Sequence, residues 1–165
     1  RKTRKRKRRM KLILENWNKF LNEQHISYSG VVLDADSVGI LRREAEKFGM
    51  PEGFVFKTNK EEPLPHHMTI TMDPLTHKKG KHDFSKAYPV GSEVELTGLA
   101  IGRDERAMAV QVQAPAEISN SFPHITVAVN RAGGGKPAHS KEIPQENFEP
   151  LSGITLRGTV EEVPQ

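Results

Sequence analysis

Two short stretches, HHMTITM at 66–72 and HITVAVN at 124–130, alternate polar and apolar side chains. Period-two alternation marks a β-strand with one face on a core, because successive side chains point to opposite sides of the strand. In the first stretch His67, Thr69 and Thr71 share one face, and His66, Met68, Ile70 and Met72 share the other. In the second, His124, Thr126, Ala128 and Asn130 oppose Ile125, Val127 and Val129. Each strand thus has an apolar side for the core and a polar side led by His and Thr. Each follows a nearby proline, Pro65 or Pro123. A chain that makes this edge twice must bring both apolar sides to a core, and that favours a mainly antiparallel sheet.

The remaining pattern fills in around these strands. GVVLDA (30–35) reads as a first strand after a linker at 24–29. Asp36 or Ser37 then caps a helix running to about Phe48, with Val38, Leu41 and Ala45 inward and Gly49 as its stop. FVFKT (54–58) is a short strand and EEPLP a turn. Residues 73–91, with Lys78, Lys79, Gly80 and Lys81, read as a long polar loop. EVELTGLAIG (93–102) and AMAVQVQ (107–113), separated by RDER, form a hairpin, and GITLRGTVEEV (153–163) is the last strand. The expected class is α+β: mostly antiparallel strands with one or two helices outside. Residues 25–165 form the single domain that this length supports.

The charge is uneven. Residues 1–9, RKTRKRKRR, carry eight basic side chains; without them 17 basic residues face 21 acidic ones, so the net charge of +4 belongs to this segment and not to the body. Such a run is expected to be disordered and to bind polyanions without sequence choice, unless it is a processing remnant or an upstream extension that ends at Met10. Residues 10–23, within a leader at 10–24, place Met10, Ile13, Leu14, Trp17, Phe20 and Leu21 at helical spacing. This amphipathic helix is expected to pack on the body, the alternative being a docking helix for a partner. The segment resembles the leader of many proteins of marine tailed phages. No apolar run approaches the roughly 20 residues of a membrane span. With no cysteine, disulfides, thiol nucleophiles and Cys-based zinc sites are excluded. A soluble, cytoplasmic monomer is expected.

The paired His–Thr edges carry a chemical meaning. Cleaving a phosphodiester needs one proton removed from the attacking oxygen and one delivered to the leaving oxygen. Two imidazoles with pKa near about 6.5 can share these tasks near neutral pH, one neutral and one protonated. Each can contribute about 10²–10⁴-fold as base or acid. Thr69 and Thr126 can hydrogen-bond the non-bridging phosphate oxygens. A single H-x-[ST] match is weak, as the loose copy at His25-Ile26-Ser27 shows; the duplication on two alternating strands carries the reading.

HMTI and HITV, whose histidines lie 57 residues apart, resemble the paired H-x-T-x signatures of the two-histidine (2H) phosphoesterase superfamily, which includes RNA 2′,3′-cyclic phosphodiesterases and the phosphodiesterase domains of tRNA ligases. The resemblance extends over about 28–163, through the YSGVVLD opening strand and a GKPAHSKEI segment similar to the GKP-x-x-S stretch of tRNA-ligase-like members. It implies a bilobal fold of two sheets with the histidines facing each other across a central cleft. It also implies His67 and His124 as catalytic residues, Thr69 and Thr126 as phosphate ligands, and a 2′-phosphate product.

Other residues are weighed beside these. AGGGKP (132–137) is not a P-loop, since Asn130 and Pro137 stand where Gly and Ser or Thr are required. It is either a turn or a phosphate wrap made by backbone N–H groups with Lys136. Tyr28, Lys57, Lys136 and Ser140 are candidate substrate contacts, the alternative for Tyr28, Lys57 and Ser140 being a structural or simply exposed residue. His66, His67, His77 and His82 lack a fixed ligand spacing, so no metal or other cofactor is expected. The leading expectation is metal-independent hydrolysis of 2′,3′-cyclic phosphate ends on RNA or nucleotides, in RNA processing or repair. The alternatives are a phage-type phosphodiesterase acting on cyclic oligonucleotide signals, and a non-catalytic nucleic-acid-binding or adaptor module.

Overall fold

The computed structural model describes residues 7–11, 13–14, 26–56, 66–76 and 83–164. Among the described residues seven strands run β1 (Ile26–Leu33), β2 (Phe54–Phe56), β3 (His67–Thr71), β4 (Glu93–Arg103), β5 (Ala107–Gln113), β6 (His124–Asn130) and β7 (Phe148–Pro164), with helix α1 (Ala35–Phe48) after β1. Their order is β2-β6-β3-β1-β7-β4-β5, and β5 returns to pair with β6. Six strands thus close into an antiparallel barrel and β2 lies against β6. The α+β expectation holds in this coarse form. Where two sheets were expected, hydrogen bonding joins all the described strands into one. Closure leaves few strand edges exposed.

Alternation sorts the side chains. Val94, Leu96, Ile154, Leu156 and Val160 of β4 and β7 point inward, while Glu93, Glu95, Thr155 and Arg157 face solvent. Met68, Ile70, Ile125, Val127, Met108 and Val110 complete the interior. Helix α1 contacts β7 and β6, which stand on opposite sides of the barrel, so it lies across one open end. Leu41 and Ala45 are its buried residues, as the spacing predicts, together with Ser37, and Val38 is half-buried. Its cap is Asp34 rather than Asp36 or Ser37: the Asp34 carboxylate accepts from the Ser37 amide at 2.8 Å. The Ser37 hydroxyl is occupied elsewhere, accepting from the Arg157 amide at 2.8 Å. Gly49, at φ 103°, ends the helix as expected. Leu75, Phe84 and Tyr88, from the loop read as polar, and Ile118 also belong to the core. The Tyr88 hydroxyl donates to the Ala116 carbonyl at 2.5 Å, joining two loops.

Several boundaries differ from expectation. β1 begins at Ile26, inside the expected linker, because Ile26 and Tyr28 pair with Pro164 and Val163 of β7, a long-range contact that local pattern does not reveal. β7 begins at Phe148, where it meets Gly102 of β4. β3 ends at Thr71 and leaves Met72 exposed. Residues 7–11, 13 and 14 are helical, so the helix reaches into the basic run expected to be disordered; Lys and Arg are good helix formers. Met10, Ile13 and Leu14 are 64%, 65% and 57% exposed, so at these positions the helix does not pack on the body as expected. The rest of the 10–23 helix and residues 1–6 lie outside the described residues. No helix among the described residues is long and apolar enough to cross a membrane.

The helix lid gives a paired test. Leu41→Ala empties a buried position and should cost about 2–5 kcal/mol. Gly39→Ala meets nothing within 4 Å, and should gain about 0.5–1 kcal/mol by raising helix propensity. Urea unfolding of the two variants should shift the midpoint in opposite directions.

Candidate functional site

The two His–Thr edges meet on neighbouring strands. Met68 of β3 pairs with Ile125 of β6, and continuing that antiparallel register by one residue either way sets His67 beside Thr126 and Thr69 beside His124. Residues directly opposite in an antiparallel pair share a face, so all four stand on the outer face of the barrel, crosswise. The histidines occupy a diagonal, a separation of about 7–8 Å at the backbone. The neighbouring registers extend this into two rows. One runs Glu161, Gly30, Thr69, His124, Gln111, and the other Thr159, Val32, His67, Thr126, Ala109.

The junction beneath the quartet is short for a topological reason. β6 offers one edge to two strands: β3 pairs at Ile125, and β2 takes over from Ala128 to Asn130. The carbonyl of Thr126 falls between them. His66, fully buried, places Nδ1 3.1 Å from that carbonyl oxygen. A carbonyl only accepts, so Nδ1 carries the proton and Nε2 is the acceptor. That fits Arg42 Nε, which points at Nε2 from α1 over a long 3.5 Å. The Arg42 guanidinium also lies 4.9 Å over the Phe56 ring of β2. His66 thus supplies the bond that a continuous ladder would have made. Sequence had placed it on the core side, which is correct, without revealing this partner.

An aromatic ring backs each histidine of the quartet. Tyr28 stacks on His67 with centroids 4.0 Å apart and planes 16° from parallel. Phe122 stacks on His124 at 4.9 Å and 21°. Phe122 stands two residues before His124, on the same side of an extended segment, and its carbonyl accepts from His124 Nδ1 at 3.0 Å. A carbonyl only accepts, so that bond puts the proton on Nδ1 and makes Nε2 the acceptor of the neutral ring. Tyr28 reaches His67 along β1 past Gly30. A Cβ at Gly30 would stand 2.5 Å from the Met68 carbonyl oxygen, so glycine both admits close strand pairing and leaves the ring's path open. Burial, then the charge of Glu161, push the Tyr28 phenol up to about 12. Of the roles weighed for Tyr28, substrate contact or structural support, the stack on His67 is structural support.

The two threonines are not equivalent. Thr69 is half-exposed. Thr126 is buried, with its hydroxyl 2.8 Å from the Ser140 hydroxyl and 3.3 Å from the Pro137 carbonyl. The carbonyl can only accept, so Thr126 donates to Pro137 and Ser140 donates to Thr126. Ser140 is fully buried on the 3-10 segment Pro137–Glu142 and holds Thr126, the structural one of the roles weighed for it. This segment covers the outside of β5 and β6, where Ile143 packs on Ala107 and Ala109. An ion pair between Arg106 and Glu142 ties it to the β4–β5 turn.

The glycine loop does not wrap a phosphate. Gly133 donates to the Asn130 side chain at 3.0 Å, Gly134 to the Arg131 carbonyl at 3.3 Å and Gly135 to the Asn130 carbonyl at 2.7 Å. All three N–H groups are consumed within the turn. Gly135 is required by packing, since a Cβ would stand 2.2 Å from the Arg106 carbonyl oxygen. Lys136 is exposed and its amide donates to His139 Nδ1 at 3.0 Å. Lys57, His77 and His82 lie outside the described residues. Among the described residues no three His, Asp or Glu side chains cluster as a cation site. No protein-family model matches the chain, and no characterised protein matches it in sequence.

Two measurements check this geometry. His66→Leu keeps the packing volume but leaves the Thr126 carbonyl unpaired, and should cost about 1–3 kcal/mol in urea unfolding. The raised Tyr28 pKa means that the folded state holds the phenolic proton more tightly than the unfolded chain. Its contribution to stability is complete below about pH 10 and is lost as pH rises through about 12. Replacing Tyr28 by Phe should flatten the stability profile in that window.

Proposed function

We propose that the chain is a metal-independent phosphodiesterase that hydrolyses 2′,3′-cyclic phosphates on RNA ends or nucleotides. The observation that carries this reading is the β3–β6 register, which sets two imidazoles and two hydroxyls crosswise on one face. A phosphate over the centre of that quartet has an imidazole on each side. One takes a proton from water as the water oxygen attacks phosphorus. The other delivers a proton to the departing ribose oxygen as its bond to phosphorus breaks, leaving a phosphomonoester and a ribose hydroxyl. The resemblance to the two-histidine superfamily favours the 2′-phosphate as product.

The surroundings support this use. His124 works through Nε2 because Phe122 holds Nδ1. A carbonyl partner at Nδ1 also stabilises the imidazolium that forms when Nε2 takes a proton. Stacking on Tyr28 and Phe122 fixes both ring planes before substrate arrives, which lowers the entropic part of the barrier. In this reading Thr69 donates to a non-bridging oxygen, and Thr126 joins it by turning its hydroxyl from the Pro137 carbonyl. In the same reading the β3–β6 junction is the counterpart of the cleft between two lobes that the superfamily resemblance implies.

The test is turnover of 2′,3′-cyclic nucleotides and RNA ends by the purified protein in EDTA. Activity should persist with chelator, and His67→Ala and His124→Ala should each lower kcat by about 10²–10⁴-fold. Full activity in either variant, or intact substrate with the native chain, overturns the reading. Comparing cyclic di- and trinucleotides with RNA ends separates this substrate class from cyclic oligonucleotide signals.

A further inference from the structure

The loop joining β5 to β6 holds a cleft of about 600 Å³, within the range of roughly 300–1,000 Å³ usual for small-molecule sites. It shares a wall with the histidine face. Ser121 and Pro123 line the cleft, while Phe122 between them turns to the other side, onto His124. Alternation along an extended segment produces this division. The cleft therefore begins one residue from His124.

Its chemistry selects among ligands. Val112, Ala114, Ala116 and Ile118 give it apolar walls, and Leu99 adds another apolar side chain. Leu99 is 45% exposed because both β4 pairings slip between Gly98 and Ala100, pushing it out of the ladder as a bulge. Gln113, Glu117 and Asn120 supply the polar rim, and among the described residues no Lys, Arg or His lines the cleft. Among these residues a phosphate meets a carboxylate and no cation. A flat, uncharged heterocycle with amino groups at its edge finds apolar faces, amide partners and an acceptor in Glu117.

We propose that this cleft is a nucleobase subsite, which takes the base of the nucleotide whose phosphate lies on the His–Thr face and prefers bases that carry an exocyclic amino group. The ribose crosses the Ser121–Pro123 wall. The proposal rests on the phosphodiesterase reading for its reaction, but not for its binding.

The experiment compares nucleoside 2′,3′-cyclic phosphates with a base-free five-membered cyclic phosphate, glycerol 1,2-cyclic phosphate. In the native chain kcat/KM should favour the adenosine and cytidine substrates over uridine and over the base-free one. Ala116→Trp, which fills the cleft, and Leu99→Arg, at an exposed position that folding tolerates, should each lower the nucleoside-to-base-free ratio by about tenfold or more. Glu117→Gln should narrow the gap between cytidine and uridine. An unchanged ratio in both cleft variants overturns the subsite. A parallel arm titrates adenosine into the native chain and follows backbone amide shifts by NMR. Shifts at 112–121 that vanish in Leu99→Arg support the subsite, and their absence overturns it. If no cyclic phosphate is turned over, the phosphodiesterase reading fails while the titration still decides the subsite.

Discussion

One edge of β6 serves two strands, and much of the structure follows from that division. β3 holds the edge at Ile125 and β2 holds it from Ala128. In the gap between them a buried carbonyl needs a partner, and an orphaned one would cost about 1–3 kcal/mol. His66 supplies it from the residue just before β3. The same short contact sets the register that brings His67, Thr69, His124 and Thr126 onto one face. A slip of one residue would turn the polar edge of β3 into the core and expose Met68 and Ile70. Core packing of Met68, Ile70 and Ile125 on one face therefore fixes which residues stand on the other.

The two halves of the quartet are supported differently. Around His124 the support is local: Phe122 provides both a stacking ring and a carbonyl from two residues away. Around His67 it comes from another strand, since Tyr28 reaches across from β1 over a glycine. Thr126 is restrained by the 3-10 segment that follows the glycine turn, and Thr69 is half-exposed among the described residues. Similar motifs in sequence thus occupy unlike environments.

Much of the strand content was legible because alternation is a local signal. β5 and β6 match their sequence ranges, and the core side of β3 was assigned correctly through Met68 and Ile70. Strand order was not legible, since it depends on which distant edges satisfy each other. The closed barrel in place of two sheets, the early start of β1 and the junction at Ile125 all belong to that class. Ser140 was singled out, but its burial was not, because nothing near it in sequence announces Thr126 as its partner. Phe122 carried a signal that could have been used: it extends the polar-face alternation of β6 back by two residues. At the glycine segment the turn, one of the two readings the sequence offered, is the one found, because its N–H groups are spent within it.

The position of β7 has a kinetic consequence. It is the last strand in sequence, yet it sits between β1 and β4. Until Phe148–Pro164 is in place, β1 has no partner on that side and the barrel stays open. Pairings between segments so far apart raise contact order and slow folding. The His–Thr face belongs to β3 and β6, neither of which pairs with β7, so it is barrel closure that waits on a segment contributing no side chain to the quartet. During synthesis the nascent chain would hold both motifs well before it could close the barrel around them.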